Sequence, residues 1–310
     1  MSVAPARDPQ ASGSLARGVL ALLLLVLNTL FWCSLLFAAA LVKLVLPFEA
    51  ARRRLDPLLN AIATGWVSGN SAWMRLTQRT AWALPALEGL DRNSWYLVSC
   101  NHQSWVDILV LQRVLNRKVP MLKFFLKREL LYVPVMGLAW WALDFPFMRR
   151  HSKAALRRDP ALRSQDEATA LKACEKFRRV PTCVMNFVEG TRFTAKKHAV
   201  QASPYRHLLK PKTGALASSL QALGPQFSSM LDFTIVYPEG VPTFWQFLCG
   251  GTPRIVVRCT HRPVPSITAA SGDDASGRAA LARWLAEVWE EKDREIDAVL
   301  RGTAAPPRAA

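Results

Sequence analysis

An α/β domain behind one N-terminal transmembrane helix is the fold class that this sequence predicts. Near the start, residues 18–42 form a run of about 25 residues without a formal charge. From residue 93 onward, short β-prone runs alternate with stretches of helical periodicity. A length of 310 residues, 51% of them hydrophobic, suffices for one large domain with extensions and excludes a mostly disordered chain.

Residues 1–17 read as a polar leader and 18–46 as the anchor, since 1.5 Å of rise per residue carries this run across a hydrocarbon core of roughly 30 Å. A cleaved signal peptide is the rival, with Ala38, Ala39 and Ala40 as a processing site. The apolar run outlasts a signal core and continues through Leu46, which favours a retained anchor. Lys43, Arg52, Arg53 and Arg54 follow it, against Arg7 and Arg17 before it, so the positive-inside bias predicts a single pass with the bulk of the chain on the cytoplasmic side. Residues 47–88 are expected to be an interfacial helical region with Trp66, Trp73 and Trp82 at headgroup depth; a helix pair packed on the domain is the open alternative. Gly65, Gly69 and Arg75 argue against a second span.

The α/β domain is placed at 89–265. Its strands are expected in SWYLVSC, VPTCVMNFVEG and MLDFTIVYP, and its helices after NHQS and in EATALKACEKFRR and ALASSLQAL. Residues 266–302 form a helical extension built on the amphipathic run ARWLAEVWEEKDREIDAVL, and 303–310 a disordered tail.

Forty Lys and Arg against 23 Asp and Glu give +17, which calls for an anionic partner. Eleven Trp in an apolar chain fit membrane phospholipid better than nucleic acid, and no RNP strand, zinc finger or helix-turn-helix supports the latter. Six cysteines stand singly without a CxxC pair, as in a reducing compartment, and five histidines never form HExxH, so no metal is expected. GxxxxGK[ST] and GxGxxG are both missing, which removes the best motifs for a nucleotide cofactor. Oligomeric state is not readable here.

Two constellations carry chemistry. In NHQSWVD, His102 follows a strand and Asp107 opens a helix five positions on, so the carboxylate can fix one imidazole nitrogen while the other removes a proton from a hydroxyl. A structural role, with Asn101 or Ser104 capping the helix, is the alternative. In NFVEGTRFT, Glu189, Gly190, Thr191 and Arg192 form a turn offering a permissive glycine, backbone donors and a guanidinium suited to phosphate; an ordinary turn with Arg192 in solvent is the alternative.

Together with GLAWWALDFPFMR (137–149), these segments resemble the 1-acylglycerol-3-phosphate and lysophospholipid acyltransferase superfamily over roughly residues 90–260, in a bacterial inner-membrane branch related to lysocardiolipin acyltransferases. The resemblance implies a mixed central sheet, His102 as general base, Asp107 as its orienting partner, and Glu189, Gly190, Thr191, Arg192 and Arg149 as the phosphate site of the acceptor. The lysine-bearing stretch KFFLKRELLYVPVMG adds Lys127 to that site and nominates Lys123 and Arg128. Val188 stands where the family's Pro usually precedes EGT, and Tyr237, Pro238 and Glu239 are candidates for a branch-specific acyl or lipid site.

The implied reaction moves an acyl group from acyl-CoA or acyl-ACP, a co-substrate and not a bound cofactor, to a lysophospholipid. The expected acceptor is 1-acyl-sn-glycerol 3-phosphate; lysophosphatidylglycerol and lysocardiolipin types are alternatives, and a non-catalytic membrane- or RNA-binding module is the rival of another class. Trp140, Trp141, Phe145 and Phe147 form a candidate wall for the acyl chain, with core packing as the alternative reading. Backbone amides near His102 or Gly190 are candidate oxyanion donors. Ser104 is not expected to be a nucleophile, because GxSxG is missing.

Overall fold

The computed structural model describes residues 13–46, 48–148, 158, 168–169, 171, 176–178, 180–265 and 275–303. Two long helices, α1 (Leu15–Val45) and α2 (Glu49–Thr77), lead into a six-stranded sheet. Its strands are β1 (Ala81–Ala83), β2 (Trp95–Cys100), β3 (Leu122–Phe124), β6 (Cys183–Phe187), β7 (Phe227–Val236) and β8 (Arg254–Arg262), in the order β1-β8-β7-β2-β6-β3. Among the described residues only the β7–β8 pairing is antiparallel, so the sheet is mixed. A separate parallel pair joins β4 (Leu126–Lys127) to β5 (Phe147–Met148). The sheet therefore begins at residue 81, ahead of the expected start at 89.

Strand alternation divides the core between two faces. Tyr96, Val98 and Cys100 of β2 join one cluster with α1, α2, α3 (Val106–Leu115) and α4 (Met136–Ala142). Leu97, between them, joins the other with α6 (Gly214–Leu223) and α8 (Ala275–Leu300). The smaller helices are α5 (Ala195–Gln201) and α7 (Phe244–Leu248). The C-terminal extension is thus one of the layers of the domain. Lys292 of α8 is buried, donates to the Phe233 carbonyl at 2.6 Å and pairs with Asp232 at 2.9 Å, while Asp232 also accepts from Ser99 Oγ at 2.5 Å. A buried ion pair of this kind survives because its remaining hydrogen bonds are supplied.

Residues 49–77 form one continuous helix, packed on α1 and α3. Its GxxxG spacing lets α1 approach closely: a Cβ on Gly65 would run into the Trp32 indole, and one on Gly69 into the Asn28 amide. Polar groups are paired inside this contact, Asn28 donating to Asn70 and to the Trp66 carbonyl, and Trp66 to Thr29. Trp73 is buried against Phe247, and Trp82 lies under the Arg113 guanidinium.

The outward side of α1 exposes Val19, Leu23, Leu27, Leu30, Phe31 and further large apolar side chains. It is long and apolar enough to cross a membrane, yet both ends are held to the same domain. Ser14 N–H donates to the Cys249 carbonyl at one end, and Lys43 pairs with Asp56 and Asp144 at the other. The expected helix in EATALKACEKFRR falls largely outside the described residues, as do most of the leader and the C-terminal tail.

Candidate active site

β2 and β6 are parallel neighbours in the middle of the sheet, and both deliver a loop to the same end. Cys100 pairs with Phe187, so NHQSWVD and EGTR start side by side although they are more than eighty residues apart in sequence. Asn101 fastens the first loop, exchanging two 2.8 Å bonds with the backbone of Ile235 on β7.

Asp107 lies fully buried in the first turn of α3, where the helix dipole favours an anion. Its Oδ2 meets His102 Nδ1 at 2.9 Å and accepts the amides of Gln103 and Ser104 at 2.6 and 2.9 Å. Its Oδ1 accepts the Tyr237 hydroxyl at 2.6 Å. Burial, and then the Asp107 charge, pushes the Tyr237 phenol well above its usual range, so it remains a donor. The His102 ring stacks on Phe187 at 3.9 Å and keeps 12% of its side chain exposed. With Nδ1 committed to Asp107, Nε2 is the nitrogen left for a reacting proton.

Glu189 has a task that its motif did not suggest. One carboxylate oxygen accepts the His102 amide at 2.8 Å and the other the Leu209 amide at 2.9 Å, and the side chain is fully buried. It therefore welds the two loops together, which corrects the expectation of a phosphate contact: an inaccessible anion with both oxygens engaged has nothing to offer another anion. Burial pushes its carboxyl up to about 7, against the two backbone bonds that pull it down.

Gly190 takes φ +70°, a region open to glycine, and a Cβ there would crowd Lys212. Thr191 Oγ1 accepts from Lys197 Nζ at 2.8 Å, and the same ammonium donates to the Arg192 carbonyl at 2.9 Å. The Arg192 guanidinium lies 4.5 Å over the Trp105 ring, so the tryptophan of the first motif positions the cation of the second. Sequence reasoning missed Lys197, Lys212 and Trp105. Lys212 stood in a basic segment, LKPKTG, that only its register beside Val188 brings to the loop.

Several candidates are placed differently. The amides of His102, Gln103, Ser104 and Gly190 are all committed within the fold, which removes them as oxyanion donors. Ser104 Oγ donates to the Pro242 carbonyl at 2.6 Å and accepts the Val106 amide, a structural role. Tyr237 supports Asp107 instead of lining a lipid site, and Glu239 pairs with Arg254 near the surface. Lys127 is exposed on the β4–β5 pair opposite Met148, whereas Lys123 is buried with its ammonium 5.2 Å from the Phe177 ring centre. Arg149 lies outside the described residues.

An apolar cleft lies between the α1–α2 pair and the domain, lined among others by Trp140 and Phe145. Trp141, 57% exposed, is not part of its wall, and Phe147 packs on the core nearby. Two of the four predicted wall residues therefore face a cavity.

The chain that carries this arrangement, a buried-carboxylate-oriented imidazole beside a cation-bearing glycine turn on an α/β sheet, is similar to known proteins. Residues 85–242, just over half the chain, match the Acyltransferase family, and the chain belongs to that family. It is 27% identical over 298 residues to lysocardiolipin acyltransferase 1 of Danio rerio, covering 90% of this chain and 70% of that protein. It is 24% identical over 234 residues to 1-acyl-sn-glycerol-3-phosphate acyltransferase gamma of Mus musculus, covering 71% of this chain and 57% of that protein. The chain thus spans little more than half the length of some curated relatives. The crystal structure of the 1-acyl-sn-glycerophosphate (LPA) acyltransferase PlsC of Thermotoga maritima aligns over 91% of this chain and 98% of that one, with a TM-score of 0.49 and 19% identity.

Proposed function

We propose that this chain transfers a fatty acyl group from an acyl thioester, acyl-CoA or acyl-ACP, to the free hydroxyl of a lysophospholipid, with 1-acyl-sn-glycerol 3-phosphate as the leading acceptor and phosphatidic acid as product. The observation that carries this reading is the 2.9 Å His102–Asp107 pair welded through Glu189 to the loop bearing Arg192. His102 Nε2 takes the proton of the acceptor hydroxyl as its oxygen bonds to the thioester carbon. The tetrahedral adduct collapses with cleavage of the C–S bond, and the imidazolium returns its proton to the departing thiolate. Asp107 holds the ring in place and stabilises the imidazolium between the two steps.

Acceptor phosphate is assigned to Arg192, Thr191 and the Gly190 turn, with Lys212 beside them, and to Lys127 and Arg149 as further cations. Holding the phosphate lowers the entropic cost of bringing one hydroxyl to the thioester. A lysocardiolipin-type acceptor is the second reading, favoured by the 90% coverage of this chain in the match to the Danio rerio protein.

The apolar face of α1 seats the protein in a membrane, which we assign to the cytoplasmic face of a bacterial inner membrane. A helix of 31 residues reaches about 46 Å, and a perpendicular crossing would carry one end away from the domain. Attachment at both Ser14 and Lys43 favours α1 lying along the domain with its outer row in lipid over the single crossing expected from the sequence. Residues 81–265 with α8 then form the working domain.

The test is thiol release and diacyl product from purified protein, acyl-CoA and lysophosphatidate in detergent. His102→Ala is expected to lower turnover by about 10² to 10⁴, the usual contribution of a general base. Turnover by the variant at the wild-type rate refutes the mechanism, and binding of both substrates by the wild type without product refutes the activity.

A further inference from the structure

The cleft between the α1–α2 pair and the domain contains one feature that a plain hydrocarbon site does not need. Its wall is built from Trp32, Leu36, Ala63, Met121, Trp140, Phe145 and similar side chains, and into this lining α3 contributes Gln112. Gln112 is 6% exposed, and its carbonyl oxygen is buried without a hydrogen-bond partner. A buried polar atom left unpaired is destabilising, and a Leu or Met in its place would complete an apolar wall at no such cost. On this side a water finds few of the two to four polar partners it needs, because the wall is mostly carbon.

Gln112 lies on the same helix as Asp107, five residues further on, or about 7.5 Å along the axis. Five residues also turn the helix by about 140°, so a chain that leaves the reacting carbonyl near His102 meets it by passing round α3. Gln112 and Met121 also line a second cleft, together with Thr64, Asn116 and Arg117.

We infer that this cleft takes the transferred acyl chain and that Gln112 selects a chain bearing a hydroxyl group along its length. The inference rests on the acyltransferase reading and adds a substrate class to it. A hydroxyl satisfies the side-chain amide whichever way its oxygen and nitrogen are turned, donating to the carbonyl or accepting from the amino group. A plain chain fills the same volume but leaves the amide unpaired.

The experiment is an internal competition. Full-length protein in detergent receives lysophosphatidate and equal amounts of a saturated acyl-CoA and one of a series of its positional hydroxyacyl isomers, and products are quantified by mass. One position, or two adjacent ones, is expected to be preferred by roughly five- to tenfold, the range set by one neutral hydrogen bond. In Gln112→Met and Gln112→Leu the ratio is expected to fall toward one, a comparison that holds whatever each variant's absolute rate. Absence of preference at every position in the wild type overturns the inference, as does a preference unchanged in a folded Gln112→Met. Should neither variant fold, the wild-type ratios decide alone. A preference seen only when the hydroxyl is on the lysolipid chain overturns the assignment to the transferred chain. Failure to turn over any thioester overturns the acyltransferase reading instead.

Discussion

Replacing Tyr237 with Phe removes one hydroxyl from the far side of the Asp107 carboxylate and leaves the three contacts of Oδ2 in place. The lost bond is short, 2.6 Å, and goes to a buried carboxylate. Such charge-assisted bonds are worth about 1.5–3 kcal/mol. That loss divides between the stability of the fold and the hold that Asp107 keeps on the His102 ring. Since about 1.4 kcal/mol is a factor of ten, kcat/KM is expected to fall by about tenfold, and by no more than about a hundredfold, with the KM for the acceptor little changed. The assay is thiol release from acyl-CoA, with thermal unfolding of the same samples. A kcat/KM that stays in place while the unfolding midpoint also stays in place refutes the role given to Tyr237; a fall in stability alone makes it a packing residue.

Glu189→Gln addresses the weld between the loops. With its carboxyl raised from 4.5 to about 7 by burial, Glu189 favours folding fully below pH 4.5 and loses that contribution as pH rises through 7, a change of about 3 kcal/mol. The stability difference between wild type and variant is therefore expected to move against the wild type over that window, by denaturant titration at several pH values, and a flat difference refutes it. Trp105→Ala removes the ring under Arg192, and a cation–π contact of about 0.5–1 kcal/mol predicts a KM for lysophosphatidate raised about two- to fivefold with little change in kcat; an unchanged KM sinks the coupling. Single cysteines placed at Ser14 and Leu46, in a chain whose own cysteines are replaced, are expected to react with an impermeant thiol reagent from the same side of a sealed vesicle, and labelling from opposite sides would restore a single crossing.

The fold was legible where the pattern is strong. The strand runs around 95–100, 183–187 and 227–236, the helix after NHQS and the terminal amphipathic helix all appear within a few residues of expectation. β8 was missed because RIVVRCTHR interrupts its apolar residues with Arg254, Arg258 and Arg262, and β1 because three residues carry no periodicity. The His102–Asp107 pair was readable because a strand end and a helix start constrain their spacing. Tyr237 was singled out for the wrong purpose: 130 residues separate it from Asp107, and only the adjacency of β7 to β2 brings its hydroxyl to the carboxylate. Trp105 was given no role within NHQSWVD. Its place over Arg192 depends on the register between β2 and β6, which no local pattern encodes.

The most instructive error concerns Glu189. A motif written as four consecutive residues invites the view that all four touch the ligand, but charge argues otherwise for a carboxylate beside a phosphate site. Two parallel strands that end side by side leave backbone amides at their tips with no ladder partner, and such donors, once buried, need acceptors. A single carboxylate satisfies one of them, from His102, together with the Leu209 amide of the segment before α6, and so fixes the distance between the base and the cation loop. Gln in the same place offers one acceptor and turns two donors toward the other amide. The acid is thus required for geometry, and the penalty of burying it appears as the raised carboxyl. Alignment of His102 with the phosphate grip is maintained by a group that touches neither substrate, and for this reason loss of Glu189 is expected to lower kcat more than it raises the KM for the acceptor.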